Sequence, residues 1–97
     1  MYTINNTIST IEYSALKASK LLDINAQEIL HISLEENATF PKHTSPRDAH
    51  LLVLEGTILF YITNKKYKLN KHQFFNFPKD EEHWVKAIKN SKFLIFR

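Results

Sequence analysis

Cysteine is absent from this chain and glycine occurs once in 97 residues. Without thiols there is no disulfide framework, no thiolate metal site and no cysteine nucleophile. With a single glycine, the tight turns that commonly use this residue for positive φ must rely on Asn, Asp or longer loops. No stretch approaches the roughly 18 consecutive apolar residues of a membrane helix. The polar opening from Met1 to Ser9 lacks the basic patch and apolar run of a secretion signal. The expectation is a cytoplasmic protein with no membrane partner. The net charge of +3 is spread, with Lys scattered among Asp and Glu and no basic stripe with interleaved aromatics, which argues against nucleic acid.

What is present is material for a core. Hydrophobic residues make up 43% of the chain, including seven Phe, four Tyr and one Trp. At this length one core is expected: an N-terminal appendage over residues 1–14, then a barrel over 15–97. Ser9 followed by Glu12 fits a capping box and predicts a short helical turn through Tyr13. The residue types of Ala15 to Leu22 tolerate helix. From Glu28 onward the period is close to two: Leu30, Ile32 and Leu34 share one face, with His31, Ser33 and Glu35 on the other, predicting a half-buried strand. Residues 37–48 carry two prolines, Ser and Thr, and read as a loop. Leu51 to Leu54 suits a strand covered on both faces, Glu55-Gly56 a turn, Thr57 to Thr63 a strand and Asn64-Lys65 a hairpin. Tyr67 to Leu69, Phe74 to Phe77, Trp84 to Ile88 and Phe93 to Phe96 complete about eight short strands, the pattern of an all-β sandwich or closed barrel.

The run His43-Thr44-Ser45-Pro46-Arg47-Asp48-Ala49, the segment Val53-Leu54-Glu55-Gly56 and the pair Pro78 and His83 together resemble the cupin family. His43 takes the place of the first His of the family's first motif, and Gly56 that of its closing Gly. Pro78 and His83 match the Pro and final His of the second motif. The resemblance implies a small single-domain jelly-roll barrel, often a homodimer, with a strand rather than a helix over Ala15 to Leu22. It also implies that His43 and His83 face inward at the open mouth. Ser45, Ala49, His72 and Asp80 depart from the pattern, and two of the four family metal ligands are thereby missing. The same run is similar to that of small bacterial cupins of unassigned activity.

Firm binding of a transition metal usually needs at least three protein ligands, and His43 and His83 supply two. His50 would join them only through a bulge or register slip, and nothing fixes the face of His31. Ser45, between Thr and Pro, reads as a turn residue rather than a nucleophile, and Asp48 as a loop-closing group rather than a partner of His43. Alternation sends Trp84 to the outer face, where His50, Leu52 and Leu54 also point; such apolar outward faces are commonly covered by a partner, here a second copy. Phe74, Phe75 and Phe77 read as core and interface packing. Asp80-Glu81-Glu82 reads as a solvated turn, with Asp80 standing in for Gly at an unusual φ and the acids favouring protonated His83. The expected function is therefore binding of a small polar molecule by His43, Ser45 and His83 without catalysis, with no cofactor. The alternative is a metal-dependent dioxygenase or isomerase holding a divalent transition metal on His43 and His83, and a third is a structural module that associates through its outer face.

Overall fold

Alternating apolar side chains let two antiparallel sheets close face to face over one interior. The computed structural model describes residues 2–97, and Met1 lies outside the described residues. A four-residue helix α1 (Thr7–Thr10) precedes nine strands: β1 (Leu16–Ile24), β2 (Gln27–Leu34), β3 (Thr39–His43), β4 (Ala49–Glu55), β5 (Thr57–Ile62), β6 (Lys65–Asn70), β7 (Phe74–Phe77), β8 (His83–Ala87) and β9 (Ser91–Phe96). One sheet runs β1-β2-β9-β4-β7, the other β3-β8-β5-β6. The chain is an all-β jelly roll. Its core takes every second residue of the inner faces: Ile32, Leu34, Leu51, Val53, Ile58, Phe60, Val85 and Phe93 are each at most 2% exposed.

Four readings of the sequence change. The helix starts at Thr7, with Asn5 Oδ1 accepting from the Thr7 N–H; Ser9 lies inside it, its hydroxyl bonded to the Asn6 carbonyl, and no Ser9–Glu12 capping box forms. The expected loop over 37–48 contains β3, whose Pro41 is tolerated because β3 is an edge strand with an irregular register between Phe40 and His43. β2 is buried on both faces from His31 to Leu34 rather than half-buried. The N-terminal segment covers its outer side: the Ser33 hydroxyl donates to the Glu12 carbonyl at 3.1 Å, and the neighbouring Lys92 ammonium to the Ile8 carbonyl at 2.6 Å. β4, conversely, alternates buried Ala49, Leu51 and Val53 with more open His50, Leu52 and Leu54.

The turns follow from the scarcity of glycine. Gly56, at φ 80°, carries the chain from one sheet to the other where a Cβ would collide with the Asn90 carbonyl and Ser91. Elsewhere side-chain-bearing residues take left-handed backbone. Thr63 and Asn64 (φ 49° and 60°) form the β5–β6 hairpin, one residue earlier than the sequence suggested, because Ile62 pairs with Lys65. Asp80 (φ 65°) and His72 (φ 70°) are likewise left-handed.

Candidate functional site

His43 ends β3 and His83 begins β8, and the two are directly paired across the ladder. Both rings turn to the same end of the barrel, with their Nε2 atoms 3.1 Å apart. Each ring is fixed by a main-chain carbonyl two residues upstream: Pro41 O lies 2.7 Å from His43 Nδ1, and Glu81 O 2.9 Å from His83 Nδ1. Phe40 stacks on His43 at 4.3 Å, while Phe60 and Phe77 lie 5.2 and 4.6 Å from the His83 ring. His83 is 2% exposed. Burial pushes its imidazole below the usual histidine range, against the opposing effect of the Glu81 carbonyl.

The carbonyl contacts set the chemistry. A carbonyl oxygen only accepts, so in both rings Nδ1 carries the hydrogen and a neutral ring presents a bare lone pair at Nε2. Two such acceptors at 3.1 Å repel unless a hydrogen or a cation stands between them. The pair therefore attracts donors: a shared proton, the O–H or N–H groups of a small molecule, or a metal ion.

The other candidates lie elsewhere. Ser45 is 1% exposed and its hydroxyl donates to the Arg47 carbonyl at 2.6 Å, a local turn bond. Asp48 accepts from the Lys79 N–H and the Ser45 carbonyl from the Asp80 N–H, so loops 44–48 and 78–82 are tied to each other beside the imidazoles. His50 is exposed and stacks on Phe74 at 5.4 Å, in a regular register with Asn76, so no bulge turns it inward. His31 lies on the outer side of β2, away from the pair, opposite Ser19 and Leu94. Asp80, Glu81 and Glu82 are exposed, and their carboxylates do not raise His83, whose burial dominates. Among the described residues no group of three or more His, Asp or Glu could hold a metal ion. Two imidazoles alone do not fit a firmly held transition metal.

Two features escaped the sequence. The carbonyl partners of both histidines depend on chain direction after Pro41 and Glu81, for which no side-chain signal exists. The second is on the outer surface of the four-stranded sheet, where Trp84 and Tyr61 are cross-strand partners stacked with centroids 3.8 Å apart. They line a groove of about 700 Å³ together with Lys42, Lys66 and Glu82. Alternation from His83 predicts the outward Trp84, but its partner becomes visible only with the register. His50, Leu52 and Leu54 belong to the other sheet, so the outward residues form two separate faces.

Comparison with known proteins agrees with this architecture. A family model for the cupin domain matches residues 30–96. The chain belongs to the cupin family. Solved structures similar to this cupin include an RmlC-like cupin protein from Desulfovibrio desulfuricans, at a TM-score of 0.85 and 15% identity over 99% of this chain and 95% of that one. A conserved protein of unknown function from Streptococcus pyogenes gives a TM-score of 0.82 and 22% identity, covering 98% and 84% of the two chains. KdgF from Halomonas sp. gives 0.73 and 14% identity, covering 84% and 76%. No curated protein matches the sequence. At these identities the structural likeness is one of fold, and the function rests on the site.

Proposed function

We propose that this cupin binds a small polar molecule at the His43–His83 pair and performs no catalysis on it, with Ser45 shaping the adjoining loop. The observation that carries the reading is the 3.1 Å approach of two Nε2 atoms whose rings are both held by carbonyl acceptors at Nδ1. It leaves an unmet demand for hydrogen-bond donors within aromatic walls. His43 remains partly open to solvent while His83 is buried, so a ligand meets His43 first. The ligand class is a polyol, amide or amine, since each offers several donors.

The same convergence favours one rival, a metal-dependent dioxygenase or isomerase, because a hydrogen bond from the far nitrogen to a carbonyl is how ligating imidazoles are commonly oriented. That reading needs a third ligand which the described residues do not supply. We further propose that the protein works in the cytoplasm as a homodimer, its contact lying on the outer surface of the five-stranded sheet around Leu52, Leu54, Leu94 and the 63% exposed Phe74.

The deciding experiment pairs metal analysis of untagged, chelator-free protein with thermal-shift screening against sugars, polyols, amides and amines. Trace metal, with stabilisation by one class that disappears in both His43→Ala and His83→Ala, supports the binding reading. Near-stoichiometric metal moves the protein to the enzyme reading. Stabilisation that survives both substitutions removes the pair from the site.

A further inference from the structure

The outer surface of the five-stranded sheet hides a cation without a counter-charge and an imidazole without a hydrogen-bond partner. Lys92, on β9, is 6% exposed, and among the described residues its ammonium makes no ion pair. It is held by the neutral Ile8 carbonyl at 2.6 Å and by the Tyr13 ring, whose centroid is 5.1 Å away. Glu55 pairs with it in register but turns its carboxylate to the Tyr13 hydroxyl. His31, on β2, is 0% exposed, and neither of its ring nitrogens has a hydrogen-bond partner. Buried cations are normally paired and buried ring nitrogens normally bonded. Two exceptions side by side call for a common explanation.

The register puts them together. Ser33 pairs with Lys92 and His31 with Leu94, so His31 and Lys92 are diagonal neighbours on one face, with Ser33 between. The charged groups around them are Lys17 on β1, opposite Ser33, Glu55 on β4 and Glu12 on the covering segment. The positive field of Lys92 reaches the imidazole and, with burial, keeps it neutral. A neutral imidazole offers one N–H donor and the ammonium offers three, while the Lys92 charge repels any cation.

We propose that His31 and Lys92 form a second binding site, separate from the histidine pair, for a small oxyanion such as a carboxylate or phosphate group, and that the N-terminal segment is its internal occupant. The Ile8 carbonyl sits where an anion's oxygen would bind the ammonium more strongly, because charge-assisted hydrogen bonds are about twice as strong as neutral ones. The segment can yield this place. Its backbone bond to the barrel is at its end, where Glu35 N–H donates to the Ala15 carbonyl at 2.9 Å beside the left-handed Ala15; its remaining bonds are made by side chains.

The test is a titration of the full chain with inorganic phosphate and, separately, acetate, each against chloride at the same ionic strength, followed by amide and imidazole nitrogen resonances. The expected result is a saturable shift confined to His31, Ser33, Lys92 and residues 7–14, with faster amide exchange in 7–14. Lys92→Met should weaken binding by about tenfold or more. His31→Leu, which removes only an unpartnered ring, provides a second variant should Lys92→Met fold poorly, and should also weaken it. The stronger of the two anions names the group recognised. Shifts matched by chloride, shifts that never saturate, or equal affinity in the variants would overturn the proposal. His43→Ala should leave the titration unchanged, so failure here and failure of the histidine-pair reading are distinguishable.

Discussion

Tyr61 and Trp84 lie parallel, 3.8 Å apart and within 1° of coplanar orientation, on the outside of the sheet whose inner surface carries His83. The stack ties β5 to β8 from behind the candidate site. It belongs to the four-stranded sheet, whereas the apolar patch of Leu52, Leu94 and Phe74 belongs to the five-stranded one.

The two faces should therefore respond differently to substitution. Trp84→Ala is expected to lower unfolding stability by about 1–3 kcal/mol in urea titrations while leaving the oligomeric state unchanged. If the proposed homodimer forms through the five-stranded sheet, Leu52→Lys should sediment as a monomer in analytical ultracentrifugation with the barrel still folded. Dissociation by Trp84→Ala with no effect of Leu52→Lys would move the contact to the other sheet.

The histidine pair makes a spectroscopic prediction. Long-range nitrogen–proton spectra at neutral pH should show both His43 and His83 protonated at Nδ1, as their carbonyl partners require. An Nε2-protonated tautomer in both rings would contradict the geometry on which the proposed ligand class rests.

Acid should weaken the fold through its buried imidazoles. Burial lowers both His31 and His83 in the folded state, so once the pH drops below about 6.5 the unfolded chain binds protons that the folded one refuses. Stability then falls with decreasing pH, by at most about 1.4 kcal/mol per pH unit for each group. Denaturation between about pH 7.5 and 5 stays above the range where carboxylates dominate. There His31→Leu should be as stable as the parent at high pH, or more so, since it deletes an unsatisfied polar ring, and its pH slope should be shallower. An unchanged slope would mean that His31 titrates normally.

Gly56→Ala should be among the most damaging single changes in the chain. The left-handed backbone penalises any side chain, and the added methyl would be driven into main-chain atoms of Asn90 and Ser91. The expected loss exceeds about 2 kcal/mol, measured by chemical denaturation. A near-neutral result would show that the crossing between sheets is looser than its packing indicates.

Strands with strong alternation, such as Thr57 to Ile62, were legible in the sequence because the side-chain period alone assigns their faces. β3 was not, since Pro41 and its polar neighbours carry loop chemistry, and only an edge position makes a strand there tolerable. The burial of Ser33 and Lys92 was also hidden, because it depends on a distant segment laid across them and not on their own strands. Of the site, His43 and His83 were found through family spacing rather than periodicity. Their approach and their carbonyl anchors needed coordinates. The left-handed Asp80 could be anticipated from its residue type, whereas Ala15 and Ala26 could not, because alanine has no side-chain group that favours that conformation.

Eight side-chain-bearing residues, in six bends, are held in left-handed backbone, and all eight are exposed to solvent. Each such conformation costs on the order of 1 kcal/mol relative to an unstrained one. The protein is thus built below the stability its topology allows, with the shortfall spread over its surface turns, one of them at Asp80 in the loop beside the histidine pair. Hardening this barrel for use as a scaffold could begin at the Asn25-Ala26 and Thr63-Asn64 turns and at Asn37 and His72, leaving Ala15 and Asp80, which adjoin the two proposed binding places, and the packed interior untouched.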